Sequence, residues 1–350
     1  MYGVKTEQVN LQDRVEREEV EVFLQNFNLS LDQDVDYTIV IRDEALNQPA
    51  IVATCSKARN VLKCFAVIEE LQGEGIAATL ISTLLDKLFS QGIYHSFIFT
   101  KPANAPIFAS LNFKLIHSNA DVALLENGLD DIYKALERMK ANYNIGDEEK
   151  ASLVMNCNPF TLGHRYLIEE ASKTNHEVLV FIVEEDRSVF PFKARYELVL
   201  KGVSDLKNVK VVPGGEYLIS TATFPAYFLK EEGQWMKAYV ELDSSIFGKY
   251  FCKRFNITKR YVGDEPYCQL MEAYNQALKT VLPSYGVELH QIRRKAIGNI
   301  AISASRVRTL IKEGDFNGLK NLLPEITLEF LNTNLGREIV EKIQTTHAPH

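Results

Sequence analysis

Positive charge is in short supply in this chain of 350 residues: 46 Asp and Glu outweigh 39 Lys and Arg, for a net charge of −7 and a pI near 5.6. Without a strong positive field to gather counterion-coated phosphates, generic nucleic-acid binding is not expected. Cysteine is scarce too. The five, at 55, 64, 157, 252 and 268, are odd in number and form no CxxC, which fits reduced thiols in a cytoplasmic protein better than a disulfide framework or a zinc site. Cys157 reads as a small buried residue at a strand end rather than a catalytic thiol. No apolar run approaches the ~18 residues of a membrane span. The start, MYGVKTEQVNLQDRVEREEVEVF, is charged and carries no secretory-signal pattern. Internal repeats and low-complexity tracts are absent. Neither nucleic acid nor membrane is expected as a partner, and the expected location is the cytoplasm.

What is present, 46% hydrophobic and 24% charged residues, is ordinary for a globular protein. The length exceeds what a single core usually reaches, so two domains are expected. Residues 130–150, DDIYKALERMKANYNIGDEEK, are polar and end in a Gly-Asp turn signal before a fresh apolar run. That places the boundary near 145, dividing the chain into 1–145 and 146–350. In the second half the segments ASLVMN, HEVLVFIV, NVKVVP, TKRYVG and GVELHQI read as strands, with helices expected at 163–173, 193–203, 225–232 and 266–281. Such alternation is the signature of βαβ units wound into a parallel sheet, which binds ligands at the carboxyl ends of its strands.

One of those ends carries NPFTLGHRY, Asn158 to Tyr166. A helix starting at Gly163 or His164 turns unpaired N–H groups and the positive end of its dipole toward the strand end, which makes a phosphate site. Gly163 permits close approach of a ligand to the backbone, Thr161 offers a hydroxyl and His164 an imidazole, the latter a stronger donor if protonated. Asn158, Pro159 and Phe160 lead in and are taken as part of the nucleotide site. Far downstream, ISASRVRTLI (302–311) reads as a second helix with Ser303 as N-cap and Ser305 and Arg308 in its first turns, a second anion cradle. In FPFKARYELV (190–199), Lys193 first, or Arg195, is placed to cover an α-phosphate, or else is a surface charge at a helix start. Gly263, Asp264 and Glu265 end the fourth strand, there to orient ribose, adenine or a metal-bound water, or to cap the next helix. The Arg293-Arg294-Lys295 run reads as a solvated turn.

NPFTLGH together with ISASRVR resembles the nucleotidyltransferase pattern T/H-x-G-H plus I-S-x-S-x-x-R. The resemblance implies that Thr161 and His164 line the ATP phosphates, that Ser303, Ser305 and Arg308 grip them from the second helix, and that magnesium accompanies the ATP. Many relatives have histidine where this chain has Thr161, which leaves His164 and nearby lysines more to do. In the first half, QGEGIA (72–77) between a strand and a helix, with NAPIFASLNF (104–113), resembles a GNAT acyltransferase domain. There Gln72, Gly73, Gly75 and Ala77 would hold the pyrophosphate of a coenzyme-A-type ligand. Many such enzymes have a tyrosine acid where Phe108 stands, and a glycine at Asn112; phenylalanine cannot protonate a leaving thiolate. The helix of this half has its apolar face at Ile76, Ala77, Leu80, Ile81, Leu84, Leu85 and Leu88 and stops at Gly92.

The expected fold class is therefore α/β: a GNAT-like α+β domain, then a Rossmann-like nucleotidyltransferase domain with a parallel sheet. The domain order and the strings STATFPAYFLK (220–230), YVGDEPYCQLMEAYNQALKTVLPSYGVEL (261–289) and ISASRVRTLIKEGDF (302–316) resemble the [citrate (pro-3S)-lyase] ligase family, from about residue 35 onward. That resemblance implies activation of acetate by ATP as acetyl-AMP. The acetyl group then passes to the thiol of the phosphoribosyl-dephospho-CoA group on the citrate lyase acyl carrier (gamma) subunit. The residues themselves reach adenylyl transfer beside a CoA-like ligand and stop. They equally admit a free-standing adenylyltransferase making a dinucleotide such as dephospho-CoA, or a nucleotide-binding module; a protein N-acetyltransferase is disfavoured by Phe108.

Overall fold

A computed structural model describes residues 5–43, 50–184, 188–219, 224, 228, 232–264, 269–298 and 300–345. The chain forms two compact units, one of residues 1–135 with 224–242, the other of residues 136–223 with 243–350.

The first unit is built on a seven-stranded sheet in the order β1-β2-β3-β4-β5-β7-β6: β1 (Thr6–Gln8), β2 (Tyr37–Asp43), β3 (Ala50–Ala58), β4 (Val61–Val67), β5 (His95–Thr100), β6 (Lys114–Ser118) and β7 (Ala123–Gly128). Helices α1 (Arg14–Gln25), α2 (Ile76–Ser90) and α3 (Ala105–Ser110) accompany it. A two-residue turn with Arg59 at φ 52° joins β3 to β4, the left-handed geometry that suits a twisted hairpin. Every neighbouring pair is antiparallel except β4 and β5, whose parallel pairing covers only Val61 with Phe97 and Leu62 with Ile98. Beyond Leu62 these strands part around a cavity of about 170 Å³ lined by Lys63, Phe65, Ile98, Thr100, Asn104 and Phe108. Helix α2 buries Ile76, Leu80, Ile81, Leu84 and Leu88 and ends before Gly92 at φ 75°, on the periodicity the sequence carries. Asn112 sits at φ 66°, a conformation open to Gly and tolerated by Asn, which is why it can hold a glycine's place.

Residues 224–242 complete this unit. The Phe224 ring lies 5.7 Å from that of Phe99 in β5, and Asn119 Nδ2 donates to the Ala238 carbonyl at 2.9 Å. Helix α4 (Ile132–Asn142) runs across the chain position where the two units divide.

The second unit holds five parallel strands in the order β10-β9-β8-β11-β12: β8 (Lys150–Met155), β9 (Val178–Ile182), β10 (Val209–Pro213), β11 (Ile257–Gly263) and β12 (Glu288–Ile292). All five residues of β9 are buried, as expected of a strand covered on both faces. The chain winds outward from β8 to β10, then returns to β8's other side at β11, so the switch point lies between β8 and β11. Helices α5 (Leu162–Thr174), α6 (Phe192–Gly202) and α9 (Gln269–Val281) match the expected 163–173, 193–203 and 266–281 within a few residues. The helix expected at 225–232 lies outside the described residues apart from Phe228 and its last position; α7 spans Glu232–Ile246 and continues through a π-helical stretch, Phe247–Cys252, into α8 (Lys253–Phe255). A short hairpin, β13 (Ala296–Ile297) and β14 (Ile300–Ala301), precedes α10 (Ala304–Glu313). Then α11 (Phe316–Leu319), α12 (Glu325–Leu331) and α13 (Asn334–Thr345) close a core of Val307, Leu310, Ile311, Leu323 and Ile339 around Phe190. Among the described residues no helix is long and apolar enough to cross a membrane.

Candidate active site

The switch point is where the chain leaves β8. Cys157 takes φ 54° and the Asn158–Pro159 peptide is cis, so the strand turns sharply before α5. Phe160 is fully buried, with its ring over Gly202, where any Cβ would collide, and with its carbonyl accepting from Thr327 Oγ1 at 3.1 Å. Phe160 and the buried Pro159 thus anchor the turn in the core instead of lining a ligand. Asn158 bridges loops, its Oδ1 accepting from the Phe190 N–H at 3.1 Å.

Thr161 is the N-cap of α5, and with His164 it forms a capping box. The Thr161 N–H donates to His164 Nδ1 at 3.1 Å, and the His164 N–H donates to Thr161 Oγ1 at 3.3 Å. Nδ1 is therefore the acceptor nitrogen, the proton resides on Nε2, and the Thr161 hydroxyl, 2.9 Å from Nδ1, also turns its proton inward. Burial, with a contribution from the field of Arg294, pushes the His164 pKa down to about 4. One expectation changes here: the Thr161 hydroxyl, on a residue only 1% exposed, is hydrogen-bonded to His164 and not presented to a phosphate. His164 is left with its Nε2–H as donor, in the unprotonated of the two forms open to it.

Gly163 also has a different task from the one its sequence context suggests. A Cβ there would sit 2.8 Å from the Ile302 carbonyl oxygen, so the missing side chain admits the lead-in to α10 rather than a ligand. This close approach brings the two motifs together. Ser303 caps α10 by accepting from the Arg306 N–H at 3.1 Å, Ser305 is exposed in the first turn, and Arg308 Nη1 donates to the Asn158 carbonyl at 2.5 Å. Arg308 Nη2 lies 3.4 Å from Ser305 Oγ, and burial lowers the guanidinium's pKa below its ordinary value. Two helix N-termini, an imidazole N–H and a half-buried guanidinium surround the end of β8, an arrangement suited to a polyphosphate.

Gly263 ends β11, and its carbonyl accepts from Asn275 Nδ2 at 2.9 Å. Asp264 Oδ1 accepts the Arg294 backbone N–H at 2.8 Å, which ties the rim of the site to the residues after β12; Glu265 lies outside the described residues. Arg294 is half-buried here, which corrects the reading of its run as a solvated turn. Lys193 is exposed in the first turn of α6 and makes no hydrogen bond or ion pair among the described residues. Arg195 is not an alternative to it: the side chain is wholly buried and donates to the carbonyls of Phe190 at 2.9 Å and of Asn156 and Val183 at 2.7 Å. Sequence reading missed Arg294, whose only signal was a basic run after β12. It also missed Asn275 and Thr327, which had no signal at all.

In the first unit, Gln72 to Gly75 form an exposed turn ahead of α2, with Gly73 at φ 88° and Gly75, the N-cap, at φ 81°. A Cβ at either glycine would meet nothing within 4 Å, so the surface beside the turn is open. Gln72 Nε2 donates to the Val67 carbonyl at 3.3 Å, and Ala77 is half-buried in the first helical turn. Phe108 is buried, edge-on to Phe65 at 5.4 Å and to Phe113 at 6.3 Å, with no proton to give.

A mixed sheet whose one parallel pair splays beside a glycine turn is a GNAT-like domain, and the doubly wound sheet with Thr-x-Gly-His facing Ile-Ser-x-Ser-x-x-Arg is a nucleotidyltransferase-like one. Residues 8–109 match the acetyltransferase (GNAT) family and residues 150–331 the citrate lyase ligase C-terminal domain. The chain is 36% identical over 326 residues to the [citrate [pro-3S]-lyase] ligase of Klebsiella pneumoniae, covering 92% of this chain and 94% of that one. It is 36% identical over 324 residues to the enzyme of that name from Escherichia coli (strain K12), covering 91% and 90%. The Haemophilus influenzae ligase matches at 36% over 322 residues, 89% and 94% of the two chains. The protein belongs to the [citrate [pro-3S]-lyase] ligase family and is an enzyme.

Proposed function

We propose that the second unit adenylylates acetate and that the acetyl group then passes to a thiol. A carboxylate oxygen attacks the α-phosphorus of ATP, the bond to the bridging oxygen breaks, and pyrophosphate leaves with that bond's electrons. The thiolate of the acceptor next attacks the acyl carbon, the C–O bond to AMP breaks, and a thioester and AMP result. No protein nucleophile is needed; positioning and charge stabilisation carry the chemistry. The α5 and α10 N-termini hold the phosphates, His164 Nε2–H donates to an α-phosphoryl oxygen, Arg308 and Ser305 take the outer phosphates, and Lys193 closes over from α6. Gly263 and Asp264 border the nucleoside. The observation that carries this reading is the close approach of Gly163 to Ile302, which joins the two motifs at one strand end.

Magnesium is proposed to enter as the counter-ion of the triphosphate. Among the described residues no group of three or more His, Cys, Asp or Glu could hold a metal ion. The first unit is proposed to bind the CoA-like arm of the citrate lyase acyl carrier subunit at Gln72 to Ala77, supported by the open glycine turn on a 15-residue helix. Phe108 supports binding there without acyl transfer.

ATP–pyrophosphate exchange tests this reading, with magnesium and either no acid, acetate, other small acids or 4′-phosphopantetheine, in the absence of carrier. Exchange that requires acetate is expected. Exchange driven by phosphopantetheine would instead make the site a dinucleotide-forming adenylyltransferase.

A further inference from the structure

β12 ends at Ile292, and the next residues fold back over the site. The Arg294 Nε donates to the Asp264 carbonyl at 2.7 Å, while its N–H donates to Asp264 Oδ1 at 2.8 Å. The Asp264 N–H in turn donates to the Ile292 carbonyl at 2.9 Å. The side chain is thus pinned across the end of β11, and a Cβ at Gly263 would lie 3.6 Å from Arg294 Cγ and Nε. That same point is 3.9 Å from Leu167 Cδ2, and Leu167 follows His164 by three positions in α5, on one helix face with it. One residue on, the Lys295 ammonium lies 5.9 Å over the Tyr166 ring, and the Lys295 carbonyl accepts the Ile302 N–H at 2.9 Å. Arg294 therefore sits where the end of β11, the first turns of α5 and the lead-in to α10 converge.

Arg308, the other half-buried cation of the site, is bonded to the Asn158 carbonyl and serves the outer phosphates, and Lys295 lies over the Tyr166 ring, which leaves Arg294 as the half-buried guanidinium beside His164. His164 is neutral, the Thr161 hydroxyl is turned inward, and Lys193 is an exposed side chain one strand away. Breaking the bond to pyrophosphate moves that bond's electrons onto the leaving group, and a charged donor meets the new negative charge roughly twice as strongly as a neutral one. A half-buried guanidinium, held by backbone contacts and already stripped of part of its hydration, needs little reorganisation to do so.

We infer that Arg294 is a catalytic residue of this site, contacting a phosphate oxygen of the nucleotide on the His164 side and taking up charge as pyrophosphate departs. The inference rests on the adenylyl-transfer reading above. Its test compares full-length wild type, Arg294→Ala and Arg294→Lys, with the exposed neighbour Arg293→Ala as control. Binding of α,β-methylene-ATP by calorimetry and acetate-dependent exchange are both measured. Expected for Arg294→Ala are roughly tenfold weaker analogue binding and a kcat lower by about 10²–10³. Arg294→Lys should recover part of both, and Arg293→Ala should match wild type. The acid limb of the rate profile should also move to higher pH in Arg294→Ala, because a positive neighbour of His164 is gone. Rates and binding within threefold of wild type overturn the inference, as does an Arg294→Ala defect that tracks a lowered melting temperature and is not relieved by lysine. If wild type exchanges nothing, the adenylylation reading falls alone, and the analogue's affinity still decides for or against Arg294. A wild type that binds no analogue overturns both.

Discussion

A backbone N–H can only donate, so the bond from Thr161 to His164 Nδ1 settles where the imidazole proton resides and makes the two residues one device. Replacing His164 by Ala should lower kcat of exchange by about 10²–10³-fold with the fold retained, as loss of a preorganised phosphoryl donor does. Thr161→Val should cost about 1 kcal/mol of stability through the lost cap and lower activity with it, while Thr161→Ser restores both; urea unfolding and exchange rates check this. The pH dependence has a definite sign. The folded pKa of His164 is near 4 against an ordinary 6.5, so the folded state binds fewer protons between these values. The stability that neutral His164 supplies is complete above pH 6.5 and is lost as pH falls toward 4. Unfolding free energy measured across that range should fall more steeply in wild type than in His164→Asn. The T-x-G-H residues could be picked out from sequence. Their internal bonding could not, because spacing puts donors on a helix turn without saying whether they face a ligand or each other.

At the scale of elements, the site depends on how closely α5 and the lead-in to α10 approach. Gly163→Ala would ordinarily favour a helix, yet here its methyl meets the Ile302 carbonyl at 2.8 Å. The variant should be less stable than wild type by about 1–3 kcal/mol and should show a raised KM for ATP, the opposite sign to a free helix position. Arg195→Met leaves three carbonyls without their donor in the loops after β8 and β9, a loss of at least about 3 kcal/mol by urea titration. The strands of the parallel sheet and helices α5, α6 and α9 were legible because their periodicities are clean and each is bounded by turn residues. Helices α11 to α13 were not: they are short or weakly bounded, and their burial depends on Phe190 and the α10 face, partners that no local window contains.

For the whole molecule, the sequence expectation of one cut near 145 stands beside units that divide at 135/136 and share the chain again at 224–242. A composition shift marks where one run of structure yields to another, but a later segment that packs into an earlier unit leaves no such mark. Expressing residues 1–145 alone should therefore yield a soluble first unit poorly, whereas co-expression with the remainder should restore it; limited proteolysis and size-exclusion chromatography tell the two apart. Phe224, packed on Phe99 of β5, also sets a schedule. Domains tend to fold in the order in which they leave the ribosome, but here the N-terminal unit remains unfinished until residue 242 has emerged. By then β8, α5, β9, α6 and β10 have already been synthesised. The first-made half of this enzyme is thus among the later parts that can reach their final form.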